Sequence, residues 1–89
     1  MIKTSVTISN KLGLHARASA KLTKLAGSFP CDVFMSRGDR RINAKSIMGV
    51  MMLAAGIGAT VELETNGEQE RQAADALVAL MNDKFGEGE

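Results

Sequence analysis

The sequence is poor in the residue types that most catalytic, metal-binding and base-stacking sites require. It has no tryptophan or tyrosine, three phenylalanines, one cysteine and one histidine. A single cysteine excludes an internal disulfide, and one thiol with one histidine is too few for a zinc cage. So few aromatic rings also argue against a surface that stacks on nucleic acid bases. We therefore expect no metal, no other cofactor and no nucleic acid partner.

Long apolar runs are missing as well. None approaches the roughly 20 residues that span a bilayer, and the first residues lack a signal-peptide pattern. Hydrophobic residues make up 45% of the chain and charged residues 24%, which is typical of a folded globular protein. A chain of 89 residues can bury one modest core. We therefore expect residues 1–89 to form one cytoplasmic, monomeric domain that does not insert into a membrane.

The formal net charge of +1 conceals an uneven distribution. Residues 1–45 carry nine basic and two acidic side chains, whereas residues 46–89 carry two basic and eight acidic ones. The basic half suggests phosphate, nucleic acid or an acidic protein surface as a partner, but the nucleic acid reading lacks interleaved aromatic residues. Alternatively, the fold interleaves the two halves into a surface of mixed charge.

The hydrophobic pattern predicts the order β-α-β-β-α-β-α. Strand patterns cover residues 2–8, 31–36, 40–43 and 60–65, and helical spacing covers residues 14–29, 47–55 and 74–85. The final "GEGE" is expected to be frayed. Alternating strands leave one polar face, so the helices should cover only the other face. The prediction is a two-layer α/β (α+β) domain with a mainly antiparallel sheet.

The stretch "GLHARAS" places the only histidine, His15, between a glycine turn and a predicted helix start. A helix N-terminus presents unpaired N–H groups and a partial positive charge, which together attract anions such as phosphate. The same positive end favours the neutral ring, which keeps a nucleophilic lone pair. Arg17 adds a cation suited to phosphoryl oxygens. These features suit a nucleophilic imidazole for phosphoryl transfer, but a histidine before a helix is often merely exposed.

The remaining sequence offers no partner for hydrolysis at this histidine. It contains no second histidine, no legible Ser-His-Asp arrangement and no pair of metal ligands. A nucleophile in this setting is better suited to a carrier that other enzymes phosphorylate than to an enzyme. A small regulatory ligand-binding domain is the other alternative, but it leaves Arg17 and the methionine-rich segment after Ser46 without a role.

Two motifs, "KLGLHARAS" and "NAKSIMGVMML", resemble the signatures of HPr, the histidine-containing phosphocarrier family of the phosphoenolpyruvate-dependent phosphotransferase system. The resemblance covers almost the whole chain. It implies an open-faced β-sandwich, with a four-stranded antiparallel sheet and three helices on one face. It further implies that Nδ1 of His15 accepts a phosphoryl group from Enzyme I, assisted by Arg17, and passes it to EIIA-type proteins. The chain departs from the family at Ala18, where proline is usual.

The second motif raises a regulatory and a docking expectation. Ser46 precedes a predicted helix and would ordinarily be an N-cap, but by resemblance it is the site of an HPr kinase/phosphorylase. The helix after it is apolar nearly all round, with one stripe at Ile47, Val50, Met51 and Ala54 and another at Met48, Met52 and Ala55. A single sheet should bury only one stripe. The partner-binding residues expected from the resemblance are Ile47, Met48, Met51, Ala16, Ala20 and Lys24.

Overall fold

The computed structural model describes all 89 residues and contains four strands and three α-helices. In chain order these are β1 (Ile2–Thr7), α1 (Ala16–Gly27), β2 (Asp32–Arg37), β3 (Arg40–Asn43), α2 (Ile47–Met52), β4 (Thr60–Asn66) and α3 (Glu70–Asn82). A short 3₁₀ turn, Lys84–Gly86, follows α3. The predicted order of elements is confirmed. The structure corrects the ends of α2, which stops at Met52, and of α3, which spans Glu70–Asn82.

The strands form one antiparallel sheet in the order β1-β4-β2-β3. Val61 and Leu63 of β4 are buried under the helices, while Glu62 between them is exposed on the opposite face. This alternation is the physical reason for a sheet that is covered on one side only. The predicted fold, an open-faced four-stranded antiparallel sheet with three helices, is confirmed.

The helices contribute apolar stripes to a core cluster of 19 buried residues. Leu14, Ala18, Leu22 and Ala26 recur at helical spacing along α1 and its entry, and all four are buried. Each large side chain of this kind adds roughly 1.5–3 kcal/mol when fully buried. The burial of this stripe fixes the rotation of α1 about its axis and so determines where its N-terminus lies.

Helix α2 has only six residues and is held at both ends by side chains. The Ser46 hydroxyl accepts a hydrogen bond from the Gly49 N–H at 3.2 Å. At the other end, Arg37 donates to the carbonyl oxygens of Leu53 at 3.1 Å and Ala54 at 3.0 Å. Cations beside the last carbonyls of a helix are favourable because they offset the negative end of its dipole.

The segment after α3 is the clearest correction to the sequence-based expectation. The sequence predicts that residues 86–89 are frayed, but Phe85 is fully buried and the Glu87 side chain is only 16% exposed. The Lys21 ammonium donates to the Phe85 carbonyl at 2.6 Å, and the Lys11 N–H donates to the main-chain oxygen of Glu89 at 2.9 Å. The segment therefore folds back over the start of α1.

No helix of the chain has the length and apolar character needed to cross a membrane. No three of the histidine, cysteine, aspartate and glutamate side chains form a group that could hold a metal ion.

Candidate functional site

His15 occupies the N-cap position of α1, as the sequence predicts. Its backbone is extended, with φ −72° and ψ 175°, and its carbonyl accepts the first helical hydrogen bond from the Ser19 N–H at 2.8 Å. The N–H groups of Ala16, Arg17 and Ala18 precede that bond and have no helical partner. The side chain of His15 makes no capping hydrogen bond. The unpaired donors of the helix therefore remain available to an anion beside the ring.

The loop that carries His15 is packed closely against the segment that follows α2. The Leu14 N–H donates to the Ala55 carbonyl at 2.9 Å, and the buried Ser19 hydroxyl donates to the Leu14 carbonyl at 3.0 Å. Gly13 has a φ of +65°, and a Cβ at this position would lie 2.5 Å from the Ala55 oxygen. Only glycine combines this backbone conformation with so close an approach.

The imidazole is hydrogen-bonded to a residue that the sequence analysis did not identify. His15 Nε2 lies 2.6 Å from Oε2 of Glu87, and the His15 side chain is 28% exposed. The other carboxylate oxygen of Glu87 accepts a hydrogen bond from the Asn10 amide at 3.1 Å. The hydrogen bond from His15, more than any other cause, holds the pKa of the Glu87 carboxyl below its ordinary value, and the bond from Asn10 adds to this effect. Nδ1 of His15 has no hydrogen-bond partner within the chain.

A cavity of about 320 Å³ lies beside the ring. Its lining includes three cationic side chains and two acidic ones: Lys11, Arg17, Lys21, Glu87 and Glu89. Arg17 takes part in none of the ion pairs of the chain, so its guanidinium is available to a ligand. An imidazole, a guanidinium and the first N–H groups of a helix are suited to binding a phosphoryl group.

The remaining expected site residues are all exposed, on α1 and at the start and along the length of α2. Met48 of α2 is 68% exposed, and Ile47 and Met51 are also large exposed apolar residues. Ala16, Ala20 and Lys24 are exposed along α1, where a spacing of four residues places them on one helical face. Ser46 is exposed at the N-cap of α2.

Two expectations about the methionine-rich helix need correction. Neither predicted stripe is buried as a unit, because the buried residues are Val50, Leu53 and Ala55. The helix ends at Met52, and the chain then turns through Ala54 with a φ of +50°, so helical spacing fails beyond that point. As a result, both stripes contribute exposed side chains to one apolar patch. Leu12 and Ile57 are also exposed, at 67% and 62%, and no helical or strand pattern in the sequence indicates this.

A larger depression of about 900 Å³ lies at the β2–β3 hairpin, away from the histidine. Arg37, Arg40 and Arg41 line it. Arg37 and Arg40 donate to carbonyls at the end of α2, and Arg41 pairs with Glu64 at 2.9 Å. These arginines are therefore engaged in holding the fold together.

Fold and site together define a class of small α+β domains that present one histidine at the start of a helix, in surroundings suited to an anion. The family described as "PTS HPr component phosphorylation site" matches residues 2–83. The chain belongs to the HPr family, whose members are phosphocarriers of the phosphotransferase system.

Individual relatives agree with this assignment. The chain is 66% identical to phosphocarrier protein HPr of Cupriavidus necator over the full length of both. It is 59% identical to HPr of Pseudomonas putida over 85 residues, or 94% of each chain. A crystal structure of HPr from Thermoanaerobacter tengcongensis matches with a TM-score of 0.94 and 40% identity, covering 98% of each chain. A dimer of that organism's HPr matches with a TM-score of 0.79, at 40% identity over 98% of this chain and 100% of the other.

Proposed function

We propose that the protein carries a phosphoryl group on Nδ1 of His15, accepting it from phosphorylated Enzyme I and passing it to EIIA-type proteins. The observation that supports this most strongly is the state of the ring. Nε2 is engaged by Glu87, whereas Nδ1 is unbonded at the start of α1. The proposed partners follow from membership of the HPr family.

The transfer step balances without loss of a proton from the carrier. A phosphorylated nitrogen of the donor gives up its phosphoryl group, and the electron pair of the broken P–N bond returns to that nitrogen. The Nδ1 lone pair of His15 forms the new P–N bond. Because Nε2 keeps its hydrogen, the ring of His15 gains the positive charge that the donor ring loses. Passing the group to the next acceptor reverses these changes.

Arg17 is proposed to bind the oxygens of the transferred group. Its side chain lines the His15 cavity and takes part in no ion pair of the chain. A guanidinium donates charge-assisted hydrogen bonds in a geometry that fits phosphoryl oxygens. These bonds hold the three oxygens while the phosphoryl group passes between the two nitrogens, so Arg17 should affect the rate more than the stability of the fold.

The exposed apolar patch on α2 and the outer face of α1 are proposed to dock both partners. Ile47, Met48 and Met51 supply adaptable apolar contacts; Ala16 and Ala20 permit close approach, and Lys24 provides a cation at the edge. We expect the protein to act as a monomer, because both partners need the face formed by α1 and α2 and a second copy bound there would cover it. Light scattering that gives twice the monomer mass at assay concentrations would contradict this expectation.

Ser46 is proposed as a regulatory phosphorylation site for an HPr kinase/phosphorylase. Its hydroxyl is exposed and lies directly before Ile47 and Met48 of the docking patch. Phosphorylation adds about −1.5 to −2 charges at pH 7. That charge would sit at the edge of an apolar docking surface and oppose the approach of an acidic partner.

Phosphorus NMR after incubation with phosphoenolpyruvate and Enzyme I tests the carrier role. The wild type should gain one acid-labile phosphate on His15, and His15→Ala should gain none. Arg17→Ala should slow uptake by roughly 10- to 100-fold, the range of a charge-assisted hydrogen bond. Met48→Glu should also slow uptake, because it places a charge in the docking patch.

Two exposed positions on α3 provide matched controls for these variants. Arg71→Ala removes the same type of side chain as Arg17→Ala, and Gln72→Glu adds the same charge as Met48→Glu. Both controls should take up phosphate at the wild-type rate. A wild type that gains no label would reject the carrier role. If Arg17→Ala lowers the urea unfolding midpoint as well as the uptake rate, the loss of rate would be explained by a less stable fold, and Arg17 would be assigned to folding instead.

A further inference from the structure

We infer that Glu87 is a positioning residue for the phosphoryl acceptor: its carboxylate holds His15 in the tautomer that carries hydrogen on Nε2, and so keeps the lone pair on Nδ1. The inference rests on the proposed phosphocarrier role, because that role makes Nδ1 the reacting atom.

The geometry of the contact determines which nitrogen carries the hydrogen. Glu87 Oε2 lies 2.6 Å from His15 Nε2, and an ionised carboxylate can only accept hydrogen bonds. In the neutral ring one nitrogen donates and the other accepts, so a bond from Nε2–H leaves Nδ1 with its lone pair. The two ring nitrogens point in different directions, and the carboxylate therefore does not cover Nδ1.

Asn10 explains why this position needs a carboxylate and not an amide. Asn10 is fully buried, and its amide nitrogen donates to the Gly13 carbonyl at 2.8 Å and to Glu87 Oε1 at 3.1 Å. The Gly13 carbonyl fixes the orientation of the amide, since the opposite orientation would bring two acceptors together. Glu87 thus meets a donor at each of its two oxygens. A glutamine would face one of those donors with its own NH₂ group.

Asn10 is held in this orientation although its other polar atom gains nothing from it. The carbonyl oxygen Oδ1 of Asn10 is buried and has no hydrogen-bond partner in the chain. An unpaired buried acceptor is unfavourable because it has lost its hydrogen bonds to water without gaining others. The Asn10 side chain therefore keeps its two donated hydrogen bonds, to Gly13 and Glu87, although its own carbonyl oxygen stays unpaired. We take this as evidence that the fold is arranged to hold Glu87 in place.

The segment that carries Glu87 is anchored on both sides of it. Lys84 and Phe85 have φ values of +55° and +56°, a left-handed conformation that is unfavourable for residues with a Cβ. Burial of the Phe85 ring and the hydrogen bond from Lys21 to the Phe85 carbonyl offset this strain. On the far side, the Lys11 N–H holds the oxygen of Glu89. Glu87 is consequently fixed at a turn and does not reach His15 from a free end.

The contact also suits the phosphorylated state. When Nδ1 gains the phosphoryl group, Nε2 keeps its hydrogen and the ring becomes positively charged. The carboxylate then faces a cation along an existing hydrogen bond, so this contact can persist through the transfer. Glu87 contacts the ring at Nε2 and not at the reacting nitrogen, so its proposed effect acts through the ring of His15.

Imidazole ¹⁵N NMR of the unphosphorylated protein, combined with initial rates of phosphoryl uptake from phosphorylated Enzyme I, tests the inference. Wild type should show Nε2 as the hydrogen-bearing nitrogen of the neutral ring and Nδ1 as the bare one. Glu87→Ala and Glu87→Gln should shift the population toward the other tautomer. Both should slow uptake by about three- to tenfold, the range of one hydrogen bond.

Glu62→Gln is the matched control for the loss of charge. Glu62 is exposed on the open face of the sheet and lies outside the His15 cavity, so this variant should keep the wild-type tautomer and rate. An unchanged tautomer in Glu87→Ala would overturn the inference, as would a changed tautomer with an unchanged or faster uptake. The ¹⁵N measurement needs no phosphate, so a failure of the carrier role itself would be recognised separately, by a wild type that gains no label.

Discussion

Gly13 and Glu87 act on the same imidazole from opposite ends of the chain. Gly13 sets the position of the loop, because its left-handed backbone brings the Leu14 N–H to the Ala55 carbonyl. Glu87 holds the imidazole ring by a hydrogen bond at Nε2. Sequence analysis predicts the histidine and its cap position from local spacing alone. It cannot pair residues 72 positions apart, and a terminal "GEGE" has no periodicity that would indicate an ordered carboxylate.

Gly13→Ala should destabilise the protein and displace the histidine loop. The new methyl group would meet the Ala55 oxygen in a backbone conformation that alanine adopts poorly. The expected loss in the free energy of unfolding is at least about 2 kcal/mol, from the left-handed conformation and the steric overlap together. Urea unfolding measures this loss, and phosphoryl uptake by the folded fraction reports whether the loop has moved.

Gly38→Ala is the control for the conformational part of that effect. Gly38 has a φ of +59°, but a Cβ there would meet nothing within 4 Å. This variant should lose only about 1–2 kcal/mol and should keep its phosphoryl uptake. If the two variants lose equal stability, the close approach to Ala55 has no energetic consequence.

Among the elements, α2 depends most on groups outside its own hydrogen bonds. A six-residue helix is too short to be stable alone. The Ser46 hydroxyl at its start and the Arg37 guanidinium at its end provide the hydrogen-bond partners that its own backbone does not. The sequence predicts the cap because serine before an apolar run is a local signal. It does not predict where the helix ends, since the stop depends on arginines from the β2–β3 hairpin and on a turn at Ala54.

Substitutions at Ser46 can separate the cap from the proposed regulation. Aspartate and asparagine are both good N-caps, so Ser46→Asp and Ser46→Asn should keep the helix, whereas Ser46→Ala should lose roughly 0.5–2 kcal/mol in the free energy of unfolding. Ser46→Asp alone should slow phosphoryl uptake, by about tenfold, because it adds a charge at the docking patch. Equal rates for the aspartate and asparagine variants would argue against control by charge at this position.

The segment after α3 should loosen in acid. Because the pKa of Glu87 in the folded protein lies below its ordinary value of 4.5, the folded state binds fewer protons there than the unfolded state. Its contribution to stability is therefore fully present above about pH 4.5 and is lost as the pH falls through the folded value. Urea midpoints measured from about pH 6 down to pH 3 should fall, and the NMR signals of residues 86–89 should sharpen as the segment becomes mobile.

Glu87→Gln separates this effect from that of other carboxylates. Glu70 also has a lowered pKa, caused mainly by its hydrogen bond from the chain's amino group, so part of the acid loss should remain in the variant. The variant should show mobile signals for residues 86–89 already at neutral pH. If these residues keep wild-type signals in the variant, the Glu87 contact does not hold the segment.

At the scale of the whole molecule, the fold brings parts of the basic half of the sequence beside parts of the acidic half. Strand β1 from the basic half pairs with β4 from the acidic half, which brings Lys3 opposite Glu64. The acidic half likewise supplies Glu87 to the histidine of the basic half. These contacts favour the interleaved alternative left open by the sequence. Linear charge alone could not predict them, because strand order is a property of the tertiary fold.

Strand order also has a consequence for how the chain acquires its shape during synthesis. The last strand to leave the ribosome, β4, lies between β1 and β2, so β1 has nothing to pair with until residue 66 has been made. Before that point only the β2–β3 hairpin and isolated helices can form. The long separation between β1 and its neighbour predicts slow, late and cooperative assembly of the sheet, and nascent chains that stall before β4 will expose an unpaired strand edge.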